Sequence, residues 1–195
     1  MARKKNKKNN MSNIFIISGP SGAGEDSVIK KLKNHIDFDK IVTTTTRAMR
    51  PEDEEGVSYY FISEEEFKKG IEENRFFEYA LEDNGNYYGG TYEELERAKK
   101  SPKPILWKVE YQGVLKAKKI LPEVKSIFIY IPFELIKERL AKRGETEETI
   151  NSRLEYAKGW YDNEDAFDFK VINEEGKLDE TVQKVAEIIK NNLDA

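Results

Sequence analysis

The chain has 195 residues, 38% apolar and 36% charged, with a net charge of −4, which suits one compact domain with small excursions from a single core. It has no cysteine and one histidine, His35. That excludes disulfides, thiolate metal sites and cysteine nucleophiles, and leaves almost no room for a histidine metal cluster or a Ser-His-Asp triad. No apolar run approaches the roughly 20 residues that span a bilayer.

Residues 1–12 read as a disordered basic tail. The first ten contain five Lys or Arg and no acid, and they lack the apolar stretch of a secretory signal. Either this is a solubilising arm with weak affinity for nucleic acid or membrane, or it precedes a second start at Met11. Without those five charges the remainder carries −9, and such a body repels a polyanion unless its cations gather in a cleft. A nucleic-acid partner is therefore not expected.

Residues 14–17, IFII, predict a short buried strand, followed at once by a glycine-rich turn and an amphipathic helix. Strand, loop and helix in that order form a phosphate-binding unit, and Gly19 and Gly24 meet its GxxxxG frame with Gly22 between them. Backbone N–H groups from Gly19, Ser21, Gly22, Ala23 and Gly24 can then curl toward one point, and the helix start adds its positive end. The pattern next asks for Lys and then Ser or Thr. This chain offers Glu25, Asp26 and Ser27. Acids suit a helix first turn, but at about 4 Å and an effective dielectric near 20, unit charges interact by roughly 4 kcal/mol, so reversing one sign opposes phosphate. The helix is predicted over residues 25–34, with Val28, Ile29 and Leu32 inward and His35 at its end as a surface residue.

Residues 41–45 read as a strand by β-branched content. Arg47 and Arg50 follow on a loop, then an acidic turn over 51–56 and an aromatic strand over 59–62. Two loop arginines near a tyrosine suit a small anion site; the alternative is that they pair with the acids at 52–55. Ser63 with Glu66 makes a capping box for a helix whose inward seam is Phe67 and Ile71. A strand over 75–80 and a hairpin turning at Asn84-Gly85 come next, and Thr91 with Glu94 caps a helix reaching about Lys100.

The core resumes with a strand over 105–109, and Glu110 sits near its carboxyl end, where open parallel sheets place chemistry. Lys108 interrupts this strand and needs an explanation, because the strand should be covered on both faces. A helix over 114–121 and a buried strand over 125–131 follow. Helices over 133–143 and from Thr146 onward, jointed at Gly144, are either a mobile lid delivering arginines over a triphosphate or a solvated helical pair. A strand over 167–172 and a helix over 178–193 close the chain. Strands alternating with longer helices indicate an α/β fold with a parallel sheet in three layers.

With these segments assembled, the chain resembles the guanylate kinase family over essentially residues 13–192. The matches are GPSGAG at 19–24, TTTTRAMRP at 43–51, GVSYYFIS at 56–63, FFEYA at 76–80, GNYYGG at 85–90, VEYQG at 109–113 and ERLAKRG at 138–144. The resemblance implies a P-loop nucleoside monophosphate kinase fold: core at 13–40, 94–133 and 163–195, a mixed-β GMP-binding region at 41–93, and a helical lid at 134–162. It implies transfer of the ATP γ-phosphoryl group to GMP with Mg2+, in a cytoplasmic monomer or homodimer.

By that resemblance Arg47, Arg50, Tyr59 and Tyr88 hold the GMP phosphate, and Thr43 and Glu78 read guanine, with Glu110 beside them. A carboxylate can accept from the guanine N1–H and exocyclic amine, a pair that adenine does not present. Arg139, Arg143 and Arg153 would reach the donor phosphates and Asn173 falls near the adenine pocket. Asp26, a hard oxygen donor, and Glu110 are candidate metal ligands, directly or through water.

Departures gather on the donor side. Glu25 stands for the loop lysine, Asp26 for the hydroxyl after it, Lys108 for the first acid of an Asp-x-Asp stretch, Trp160 for an acid after the second lid helix, and Gly90 for a hydroxyl. One extra residue lies between Glu78 and Tyr88. Glu25 and Lys108 are either a charge exchange that keeps one phosphate-facing cation, which requires the two side chains to touch, or independent losses. The competing functions are a catalytically impaired GMP-binding or protein-interaction module, and a related kinase acting on a ribose bisphosphate.

Overall fold

The computed structural model describes residues 13–82 and 85–193. Nine strands and seven α-helices are described: β1 Ile14–Ser18, α1 Glu25–Leu32, β2 Asp39–Lys40, β3 Thr44–Thr45, β4 Tyr60–Phe61, α2 Glu64–Glu72, β5 Phe76–Leu81, β6 Tyr87–Thr91, α3 Tyr92–Ala98, β7 Ile105–Lys108, α4 Tyr111–Ile120, β8 Lys125–Tyr130, α5 Phe133–Lys142, α6 Glu147–Asp162, β9 Phe169–Ile172 and α7 Leu178–Asn191. Five strands form one sheet in the order β2-β7-β1-β8-β9, and every pairing in it is parallel. The central strand β1 is fully buried, which is why an unbroken apolar run rather than an alternating one encodes it. One side chain set packs with α1, α5 and α7 around Phe15, Ile17, Leu32 and Val185; the other packs with α3 and α4 around Ile14, Ile16, Trp107 and Val114. Helices on both faces of a parallel sheet give the three layers expected.

The second sheet has the order β4-β3-β6-β5, with β3 parallel to β4 and antiparallel to β6. Of the single strand expected over 41–45 only Thr44 and Thr45 are strand, and a separate strand in the other sheet lies just before it at 39–40. Asp39 and Lys40 pair with β7, while Thr44 and Thr45 pair with β4 and β6. Between them the Val42 N–H leaves both ladders and donates to the buried Glu94 carboxylate at 2.8 Å. That carboxylate also binds Arg97, whose guanidinium donates to the Lys40 carbonyl at 2.6 Å. A buried acid three residues into α3 thus satisfies the backbone where the chain crosses from sheet to sheet.

The caps fall where expected. Ser63 and Glu66 form a reciprocal capping box, and Thr91 and Thr146 accept from the N–H groups of Glu94 and Thr149. Gly144, at φ +79°, ends α5. Boundaries moved in two places that matter: α1 stops at Leu32, and α4 starts at Tyr111, which makes Glu110 the residue before its first turn. The turn expected at Asn84-Gly85 lies partly outside the described residues, as does the basic tail. Among the described residues no helix is long and apolar enough to cross a membrane.

Candidate functional site

The carboxyl ends of β1 and β7 open into a cavity of about 570 Å³ that is bounded by the glycine loop, the second sheet and α6. This is a volume suited to small-molecule ligands. Of the expected residues it is lined by Gly19, Ser21, Gly22, Gly24, Glu25, Asp26, Ser27, Arg47, Arg50, Tyr59, Tyr88, Lys108, Glu110, Arg143 and Arg153. Segments far apart in sequence therefore converge on one space.

The loop is rigidly built. Gly24 precedes α1 at φ +87°, and a Cβ there would fall 2.6 Å from the Asn173 amide nitrogen, so glycine is required twice over. Ala23 differs from the expectation that its N–H points at phosphate: that N–H donates to the Pro20 carbonyl at 2.8 Å, closing the turn. Asn173 is buried and donates to the Ala23 carbonyl at 2.7 Å while Thr181 donates to its amide oxygen at 3.1 Å. Its side chain supports the loop from behind and does not line the cavity. Arg139 is turned the same way, donating to the carbonyls of Gly22 at 3.1 Å and Asn173 at 2.9 Å, outside the lining.

Lys108 and the two loop acids are in contact. The Lys108 ammonium lies 3.1 Å from Glu25 Oε1 and 2.8 Å from Asp26 Oδ1. Burial pushes the Glu25 carboxyl up to about 7, against the pull of Lys108 and a hydrogen bond from the Gly19 N–H, while Asp26 adds to the rise. Burial alone would lower the Lys108 ammonium, but Glu25 and Asp26 together hold it well above its ordinary value, so it stays charged.

On the side of the second sheet the Arg47 guanidinium sits over the Tyr59 ring at 5.2 Å, and the Tyr59 and Tyr88 rings meet edge-on at 5.8 Å. Burial raises the Tyr59 hydroxyl, which keeps it a donor. Arg47 also pairs with Asp53, one of the acids at 52–55, at 2.9 Å while still lining the cavity; Asp53 in turn accepts from the Arg50 N–H at 2.8 Å. Thr43 and Glu78 are buried behind the lining. Glu78 accepts from the Gly90 N–H at 3.0 Å, and burial pushes its carboxyl up to about 7 against that bond and the Lys116 charge.

From α6, Arg153 donates to Ser21 Oγ and to Glu145, each at 2.8 Å, so this helix touches the loop. Sequence reasoning missed the rest of that helix face: Glu148, Thr149, Ser152, Tyr156 and Trp160 all line the cavity. Their spacing of three and four residues was the available signal. Trp160, noted only as a missing acid, is buried, donates to Ser18 Oγ at 2.8 Å and packs on Tyr111. Among the described residues no cluster of three or more His, Cys, Asp or Glu could hold a metal. Asp26 nevertheless keeps an 81% exposed side chain at the mouth of the loop.

The family model for guanylate kinase matches residues 11–192. A guanylate kinase of Helicobacter pylori (strain J99) is 38% identical over 191 residues, covering 96% of this chain and 92% of that protein. One from Oceanobacillus iheyensis is 36% identical over 91% of this chain and 86% of its own length. Among solved structures, guanylate kinase from Anaplasma phagocytophilum matches with a TM-score of 0.72 and 29% identity, over 93% of this chain and 87% of that one.

Proposed function

Because the chain belongs to the guanylate kinase family, we propose that it transfers the γ-phosphoryl group of ATP to GMP, giving ADP and GDP. The observation that carries this reading is the convergence of Arg47, Arg50, Tyr59 and Tyr88 on the cavity that the glycine loop also lines. Two guanidinium groups and two phenols make a compact dianion site, and the GMP phosphate would take the place of the Asp53 carboxylate on Arg47. Guanine would lie toward Thr43 and Glu78, with the Glu78 carboxylate accepting from N1–H and the exocyclic amine, and with Glu110 nearby. Region 41–93 is thereby assigned to GMP and helices 134–162 to the lid.

Transfer of this kind needs positioning and charge neutralisation more than covalent chemistry. The loop N–H groups and α1 receive the donor phosphates, with Ser21, Ser27, Arg143 and Arg153 around them. Arg139 braces the loop unless the lid rearranges. Magnesium fits this site in the way it usually binds beside phosphate, through one or two carboxylates. Asp26 and Glu110, which both line the cavity, would hold it, and it would neutralise negative charge on the donor phosphates. A soluble, cytoplasmic setting follows from these substrates.

The carboxylates in the loop favour one second reading, a module that binds GMP without turning it over. Calorimetry with GMP and AMP tests the acceptor assignment common to both. GMP is expected to bind at least 100-fold more tightly, because AMP would leave buried acceptors unpaired. Equal affinity for the two would refute it.

A further inference from the structure

Lys108 ends β7 beside Ile17 of β1, one residue before that strand's last position, Ser18. A lysine there, in a strand otherwise buried, is held by two acids from the first turn of α1. The phosphate-loop pattern places its lysine at the first helical position, where it reaches the β and γ oxygens. Position 25 carries the opposite charge here, and the cation it lacks stands 3.1 Å away on the neighbouring strand. We propose that Lys108 supplies from the strand the phosphate-contacting charge that such loops take from their own lysine, and that Glu25 is the positioning residue holding its ammonium over the loop. This inference rests on the ATP-dependent reading of the site.

Three physical points favour the exchange over two unrelated losses. The Glu25 carboxylate is met by the Lys108 ammonium at 3.1 Å, so it does not face a triphosphate unpaired. An ammonium carries three protons; Glu25 and Asp26 engage two of its sides, and the cavity it lines also contains Gly22 and Gly24. A carboxylate at the first position of α1 suits the helix dipole, whereas a lysine there opposes it. The carboxylate thus occupies the place where the backbone favours an anion, and the cation stands one strand away within reach of the same phosphate. Asp26, far more exposed than Glu25, remains at the mouth of the loop.

The full-length protein tests this by calorimetry with a nonhydrolysable ATP analogue and magnesium, and by steady-state GMP phosphorylation. Lys108→Met is expected to weaken the analogue at least tenfold and to lower kcat by about 100-fold, the scale on which one transition-state charge contact acts. GMP affinity should stay within twofold. Lys108→Asp alone should be as impaired, and adding Glu25→Lys should restore both analogue affinity and turnover. A pair that merely holds the fold would recover its melting temperature in the double variant without recovering analogue affinity, and that result would overturn the proposal. So would parent-like analogue binding by Lys108→Met. If Lys108→Met is unfolded at the assay temperature, the double exchange carries the comparison. A parent that binds the analogue through Lys108 but does not phosphorylate GMP would refute the GMP reading and leave this inference standing. Full GMP turnover unaffected by Lys108→Met would do the reverse.

Discussion

Glu78 shows most clearly how one residue can be set against the fold that holds it. Its carboxyl is 6% exposed and pushed up to about 7 from 4.5 by burial. Between those two values the folded chain holds a proton that the unfolded chain has released. Stability therefore falls as pH rises from about 4.5 and the loss is complete above about 7, a difference of roughly 3 kcal/mol. Glu78→Gln keeps an acceptor for the Gly90 N–H and removes the titration. It is expected to melt several degrees above the parent at pH 8, with the gap closing toward pH 5 in parallel thermal scans; a constant gap would contradict the assignment. On the proposed assignment of Glu78 to guanine, it is the ionised carboxylate that accepts from the base. GMP binding by the parent should thus tighten about tenfold more than binding by Glu78→Gln between pH 6 and pH 8, the change in ionised fraction of a group titrating near 7. The family motif gave the identity of this residue, but no spacing could reveal that its neighbours bury it.

Among the elements, α6 carries a contact that decides between two opposing effects. Gly159 faces Tyr111 of α4, and a Cβ there would fall 2.2 Å from the ring. Gly159→Ala gains about 1 kcal/mol of helix propensity but must displace a packed aromatic, which costs about 1 to 3 kcal/mol. Packing is expected to win, with a melting temperature lowered by a few degrees; a rise would mean that α6 rides free of α4. The elements themselves were largely legible. Unbroken apolar runs gave β1 and β8, and Ser63, Thr91 and Thr146 gave three helix starts to the residue. What failed was local pattern overruled by long-range contact. A threonine-rich run looks like one strand whether or not Glu94, some fifty positions on, takes the Val42 N–H away from it. Helix α4 likewise begins three residues early, with its first turn carrying Tyr111, which packs on Tyr156 and Trp160 of the lid.

For the molecule as a whole, the convergence of Arg47, Arg50, Tyr59 and Tyr88 on the cavity was legible because these residues are motif-bound, and the lining face of α6 was not, because it is a helix surface recognisable only once something lies opposite it. Arg139 and Asn173 show the limit of carrying a motif over: both sit beside the loop and both bond to its carbonyls rather than opening into the cavity. Residues 1–10, which carry all the tail's basic side chains, fall outside the segment matched by the family model, which begins at residue 11. Deleting residues 1–10 is expected to leave the melting temperature and GMP affinity unchanged, and a large loss of either would assign that segment a role in the site. The account turns on one reaction, and the most direct measurement is chromatographic detection of GDP from the full-length chain incubated with ATP, GMP and magnesium. GDP and ADP should accumulate in equal amounts, and only when GMP is present. Absence of GDP while GMP still binds would contradict the kinase reading and leave a nucleotide-binding module in its place.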